Sequence, residues 1–292
     1  MLIGYNTNGF AHHRLEDALN IVADLGYGSV AITLDYHALN PFDVDLPKQL
    51  EQAASILRRR GLSCVIETGA RYLLDPYHKH QPTLLSRRED DRKFRWQFLS
   101  RAVDVAAFLN ADAVSFWSGT PTSEEEESIL WERLAEGCDS LCNYAATSGT
   151  RLAFEPEPGM FIDTMDRYAE LRDRVRHPLF GLTIDIGHLH CQGETPIEDH
   201  LRRWREPLWN VHLEDMRKGM HEHLMFGEGE INFGPVLSAL DEIGYHGGVH
   251  VELSRHSHDA LGSAEKALAF LRQARAGSRD NTRANYDNDM SR

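Results

Sequence analysis

FGLTIDIGH, residues 180–188, is an apolar run that ends in a carboxylate and is followed, across one glycine, by a histidine. A short continuous apolar run of this kind reads as a strand buried on both faces. No hydrophobic core asks for an aspartate and a histidine together, so Asp185 and His188 mark the end of the run as a place where chemistry is carried. The same shape recurs along the chain. LIGYN (2–6), SVAITL (29–34), SCVIET (63–68), DAVSFW (112–117), RLAFEP (151–156), LWNVHLE (208–214) and GVHVEL (248–253) are short β-branched runs. Between them lie segments with apolar residues at helical spacing, clearest in 15–26, 46–61 and 95–110. Gly26, Gly61 and Gly244 stand where helix C-caps are expected.

Eight alternating strand and helix units predict an α/β fold, a (β/α)8 TIM barrel, as a single domain over residues 1–276. A doubly wound sheet would have fewer strands and a Gly-rich phosphate turn after the first one, and no GxGxxG or P-loop opens a helix here. The two long connections, 71–90 and 215–233, are the expected site loops. The acidic run 124–127 suits the first turn of a helix, where negative charge complements the dipole. From Gly277 the composition turns polar and aperiodic, which predicts a disordered tail over 277–292.

The formal charge of −14 disfavours nucleic acid as a partner, because binding to polyanions is driven by Lys and Arg. No apolar run of about 18 residues suggests a membrane span. The first residues, MLIGYNTNG, lack the pattern of a signal peptide, so a cytoplasmic location is expected. Four scattered cysteines do not make a disulfide framework; Cys138 and Cys142, one helical turn apart, read as small buried residues.

Barrel active sites lie at the C-terminal ends of the strands, so polar residues that close apolar strands are the ones to collect. Glu155, Asp185, His212 and Glu252 close four consecutive strands and should converge. Three carboxylates gathered in a partly dry pocket repel one another unless a cation sits among them. A divalent metal resolves this, and an oxygen-rich set with one imidazole suits Mn²⁺, Mg²⁺, Co²⁺ or Zn²⁺ rather than copper or an iron–sulfur cluster.

The motifs FEPEPG (154–159), IDIGH (184–188), VHLEDMR (211–217), GEGEINF (227–233) and VHVEL (249–253) resemble those of the xylose isomerase-like barrels. This superfamily holds sugar isomerases and epimerases, including D-tagatose 3-epimerase, and the endonuclease IV repair enzymes; the resemblance spans about residues 1–275. It implies that Glu155, Asp185, His212 and Glu252 hold one catalytic metal, Mn²⁺ first among the candidates. It also implies that His188 and Arg217 hold substrate oxygens, with Gly187 letting the chain bend so that His188 faces the substrate. Glu67, Trp117, Arg71 and His37 are candidates to complete the pocket, Trp117 as an apolar wall.

The function so implied is a metal-dependent isomerase or epimerase of a sugar, sugar acid or related polyol. It would work through a metal-stabilised enediolate, with Glu155 and Glu252 as general acid and base. A dehydratase of the inosose or dehydroshikimate type, using the same chemistry, is the alternative. A third reading is an endonuclease IV-like phosphodiesterase with a second metal at His221 and His223. Against it, IETG (66–69) and SFWSG (115–119) lack the histidines of the three-zinc cluster, and Trp117 falls where one of them would stand. A homo-oligomer is compatible with the resemblance.

Overall fold

Each of the eight apolar runs is a strand. β1 (Leu2–Asn6), β2 (Ser29–Thr33), β3 (Ser63–Glu67), β4 (Val114–Phe116), β5 (Leu152–Phe154), β6 (Phe180–Asp185), β7 (Leu208–Leu213) and β10 (Gly248–Val251) follow the expected positions. The computed structural model describes residues 1–69 and 71–289, with side chains as far as Gly277. In it these strands pair in parallel and close into a barrel in the order β1-β10-β7-β6-β5-β4-β3-β2. β2 and β6 are buried along their whole length, as expected of strands covered by helices on one side and filled by side chains on the other.

The helices are α1 (Leu15–Leu25), α2 (Leu46–Arg60), α3 (Glu89–Leu109), α4 (Glu127–Ala145), α5 (Met165–Val175), α6 (Ile186–Gln192), α7 (Ile197–Arg203), α8 (Phe233–Glu242) and α9 (Ala260–Asp289). Gly26, Gly61 and Gly244 all take positive φ just past a helix, as cap positions require. α3 begins at Glu89 rather than at the expected Arg95: Glu89, Asp90 and Asp91 carry no apolar period, yet they place negative charge on the helix's first turn. Of the expected tail, 277–292, the backbone continues α9 as far as Asp289, while the side chains after Gly277 and the last three residues lie outside what is described.

The second long connection is not a loop. Residues Asp215–Arg217 (β8) and Met220–Leu224 (β9) form an antiparallel hairpin standing at the mouth of the barrel. Asp215 fastens it. Its Oδ1 accepts from the backbone N–H groups of Met216 and Ile231, and its Oδ2 accepts from those of Gly227 and Gly229. A Cβ on Gly229 would collide with this carboxylate, so GEGEINF is a backbone cradle wrapped around one acid. All four cysteines are free and buried. Among the described residues no helix is long and apolar enough to cross a membrane.

Candidate metal centre

The strand ends bring the four expected residues to one point. One ligand atom from each of Glu155, Asp185, His212 and Glu252 lies within 4.8 Å of every other. His212 Nδ1 stands 3.1 Å from Glu155 Oε1, 3.0 Å from Glu252 Oε2 and 3.8 Å from Asp185 Oδ2. The register explains the meeting, since Asp185 on β6 and His250 on β10 both lie opposite His212 on β7.

Asp185 and His188 are coupled by a helix cap. α6 starts at once after β6, and Asp185 Oδ1 accepts from the backbone N–H of His188 at 2.9 Å. The three-residue spacing is therefore the spacing of an N-cap to its third helical residue. It aims Asp185 Oδ2 and the His188 ring at the same space, 3.5 Å apart. Gly187 sits inside this helix with no positive φ, so its role is not to bend the chain. A Cβ there would collide with Glu214 Oε1 and stand 2.8 Å from Met216 Cε; glycine provides room for a buried acid.

Glu67 lies on the cavity wall, but its carboxylate faces protein groups: Oε1 is 2.8 Å from His212 Nε2 and accepts from Asn210 Nδ2 at 2.9 Å. It orients the imidazole rather than standing free for substrate, and it directs Nδ1 toward the acids. Behind it, His250 Nδ1 donates to Asn210 Oδ1 at 2.9 Å, and His250 Nε2 lies 2.9 Å from Ser29 Oγ. Asn8 Nδ2 donates to Glu252 Oε1 at 2.8 Å.

The groups around this point are more acidic than the pocket can hold ionised. Burial pushes Glu155 up to about 8 against the pull of His212, and it pushes Glu157 and Glu214 well above the carboxylate range. Burial works against charge on His212, yet Glu67, Glu155 and Glu252 together raise it well above the usual histidine value. Asp185 Oδ2, His188 Nε2 and both oxygens of Glu214 are buried without a hydrogen-bond partner. Burial works against charge on Asp185 and Glu252 as well, yet the neighbouring histidines, His188 and His212 foremost, hold both below the usual carboxylate range. Buried unpaired oxygens, some held ionised beside an imidazole, are what a hard divalent cation satisfies, so the residues fit such an ion.

The centre forms the floor of a cavity of about 700 Å³ that opens at the mouth of the barrel. His188, Trp117, His37 and Arg71 line it as expected, the Trp117 ring standing 5.1 Å from that of His80. The hairpin delivers His221 and His223 to the wall, where they and His188 form a second group with ligand atoms within 4.8 Å of one another. Arg217 is the exception. It is exposed, does not line the cavity, and donates from Nη2 to the Glu228 carbonyl at 2.8 Å.

The family pattern of the xylose isomerase-like TIM barrel matches residues 19–274, nearly the whole barrel and all four residues of the centre. The chain belongs to this family. Among relatives of this xylose isomerase-like barrel is the inosose dehydratase of Clostridium perfringens, 31% identical over an alignment of 176 residues that covers 54% of this chain and 58% of the relative. The match thus spans less than two thirds of that relative's length. Solved structures share the fold at lower identity. An L-ribulose 3-epimerase superimposes with a TM-score of 0.77 at 18% identity, covering 97% of each chain. The 3-keto-D-glucoside 4-epimerase from E. coli gives 0.75 at 17%, covering 94% of this chain and 99% of that one.

Proposed function

We propose that this xylose isomerase-like barrel is a divalent-metal-dependent enzyme that moves a proton on a carbon next to a carbonyl in a sugar, sugar acid or related polyol. Isomerisation or epimerisation is the first reading. The observation that carries it is the placement of two acids, Glu155 and Glu252, at 3.1 and 3.0 Å from His212 Nδ1 at the floor of a cavity of about 700 Å³. Glu155, Asp185, His212 and Glu252 would hold the ion, Mn²⁺ before Mg²⁺, Co²⁺ or Zn²⁺. When bound, it would supply Lewis acidity to neighbouring carbonyl and hydroxyl oxygens and so acidify the C–H between them.

The remaining work belongs to the chain. One of Glu155 and Glu252 takes the proton, and the other returns one to the carbon; two acids facing a shared space permit either direction. Asn8 fixes the Glu252 carboxylate, Glu67 and Asn210 fix His212, and His188 offers Nε2 to a substrate oxygen. The hairpin covers one side of the cavity with His221 and His223 and limits the entry of water.

Dehydration is the second reading, supported by the relative from Clostridium perfringens, which is named an inosose dehydratase. The same proton removal would then expel a hydroxyl instead of being reversed. The phosphodiesterase reading finds less support, because IETG (66–69) and SFWSG (115–119) lack the histidines of the three-zinc cluster, and Glu67 and Trp117 in them are engaged with protein groups. A second ion at His188, His221 and His223 remains a separate proposal, to be counted by elemental analysis of metal-loaded protein.

Incubation of the metal-loaded protein with a ketose and inosose panel in D₂O tests the proposal. Epimerisation yields an isomer carrying deuterium, dehydration a product lighter by one water, and no exchange with any compound would refute both. Glu155→Gln and Glu252→Gln should each lower turnover by about 10²–10⁴-fold with circular dichroism unchanged. Near wild-type activity in either variant would remove that residue from the proton path.

A further inference from the structure

The cavity is electrically two-ended. Its floor holds the carboxyl cluster, while its wall carries Arg71 and Lys79 from the connection between β3 and α3. Arg255, also on the wall, is paired with Glu222 at 3.1 Å; among the described residues Arg71 and Lys79 make no such pair. A third cation lies behind the same wall. Arg95 of α3 is buried with its guanidinium 4.3 Å from the centre of the Trp117 ring, and neither Nη1 nor Nη2 has a hydrogen-bond partner. The His80 ring stands 5.1 Å from that of the same tryptophan, and it is held down to about 3 by burial, with Lys79, Arg95 and Arg71 adding to the effect. Three cations therefore act on one place.

Burying a cation without a partner is costly, and this chain, with 45 acidic residues against 31 basic ones, had many acids with which to pair it. Arg71, half-buried, and Lys79, exposed, carry no ion pair among the described residues on the cavity wall and are open to a partner from outside the chain. The carboxyl-rich floor repels anions, so the negative group of a ligand must stand away from it, at the basic wall. An arginine and a lysine together fit the oxygens of a carboxylate or a phosphate.

Resting on the polyol reading above, we infer that the substrate is an anionic polyol, a keto sugar with a carboxylate or phosphate at its far end. That group seats against Arg71 and Lys79 while the carbonyl end meets Glu155, Asp185, His212 and Glu252. Neutral sugars then lack the contact that this wall is built to make.

Calorimetric titration of the Mn²⁺-loaded full chain with a panel of ketohexoses, their 6-carboxylates and their 6-phosphates tests this. At least one acid should bind ten-fold or more tightly than its neutral parent, and the carboxylate and phosphate arms identify which anion is read. The double variant Arg71→Ala, Lys79→Ala should bring that acid to the level of the neutral sugar. Arg71 is half-buried and Lys79 exposed, so folding is not at risk. Equal affinity for neutral and acidic sugars in the wild type, or a preference that survives in the variant, would overturn the inference and leave the polyol reading standing. Failure of every compound to bind would overturn both.

Discussion

Asp185 gives its two oxygens different work. Oδ1 caps α6 through the His188 N–H, while Oδ2 is buried without a partner, 3.8 Å from His212 Nδ1. Asp185→Asn keeps an oxygen for the cap but removes the charge, so the metal-free melting temperature should hold while Mn²⁺ affinity falls more than ten-fold. Asp185→Ala loses both and should also cost the metal-free protein about 1 kcal/mol. If calorimetry shows the two variants to be equally stable, the cap argument fails. At this scale much of the site was legible in the sequence, because a polar residue ending an apolar strand is conspicuous. Asn210, Glu214, Glu157 and His250 were missed, although each lies two residues from a predicted ligand and so falls on the same inward face. Arg217 fails for the opposite reason, because spacing along a chain does not fix where a long side chain goes in a hairpin.

Among the elements, the strands and the caps followed from local pattern, and the β8–β9 hairpin did not. MHEHL has no apolar alternation, and its stability comes from Asp215, whose four backbone donors are up to 16 residues away in sequence. Asp215→Ala should therefore destabilise the fold by about 1.5–3 kcal/mol, the range for hydrogen bonds to a charged group. Amide exchange should also accelerate over 220–231, while the barrel strands keep their protection. Uniform exchange throughout the molecule would show that the hairpin is held in some other way. Because His221 and His223 ride on this element, the variant should also loosen substrate binding before it affects the four-residue centre.

For the whole molecule, the acid cluster couples folding to protons and to metal. Glu155 is pushed up to about 8 by burial, so between its ordinary value near 4.5 and about 8 the folded state binds a proton that the unfolded state has released. Glu157, Glu214 and His212 shift in the same direction. Metal-free protein should accordingly lose stability as pH rises from 6.5 to 8. A bound divalent ion replaces those protons, so urea midpoints with Mn²⁺ should show this loss removed. Identical pH profiles with and without the ion would contradict the coupling. Chelation at neutral pH should lower the melting temperature by about 5–10 °C, taking about 2.7 kcal/mol of linkage at 100-fold excess over the dissociation constant.

The most direct test of the central claim, that four strand ends are organised around one divalent ion, is electron paramagnetic resonance of the Mn²⁺-titrated protein. The tightest-bound ion should occupy one equivalent and carry hyperfine coupling to a single histidine nitrogen, and His212→Ala should abolish that coupling together with most of the affinity. Mn²⁺ that stays free in solution, or a bound ion whose spectrum is unchanged in His212→Ala, would contradict the account.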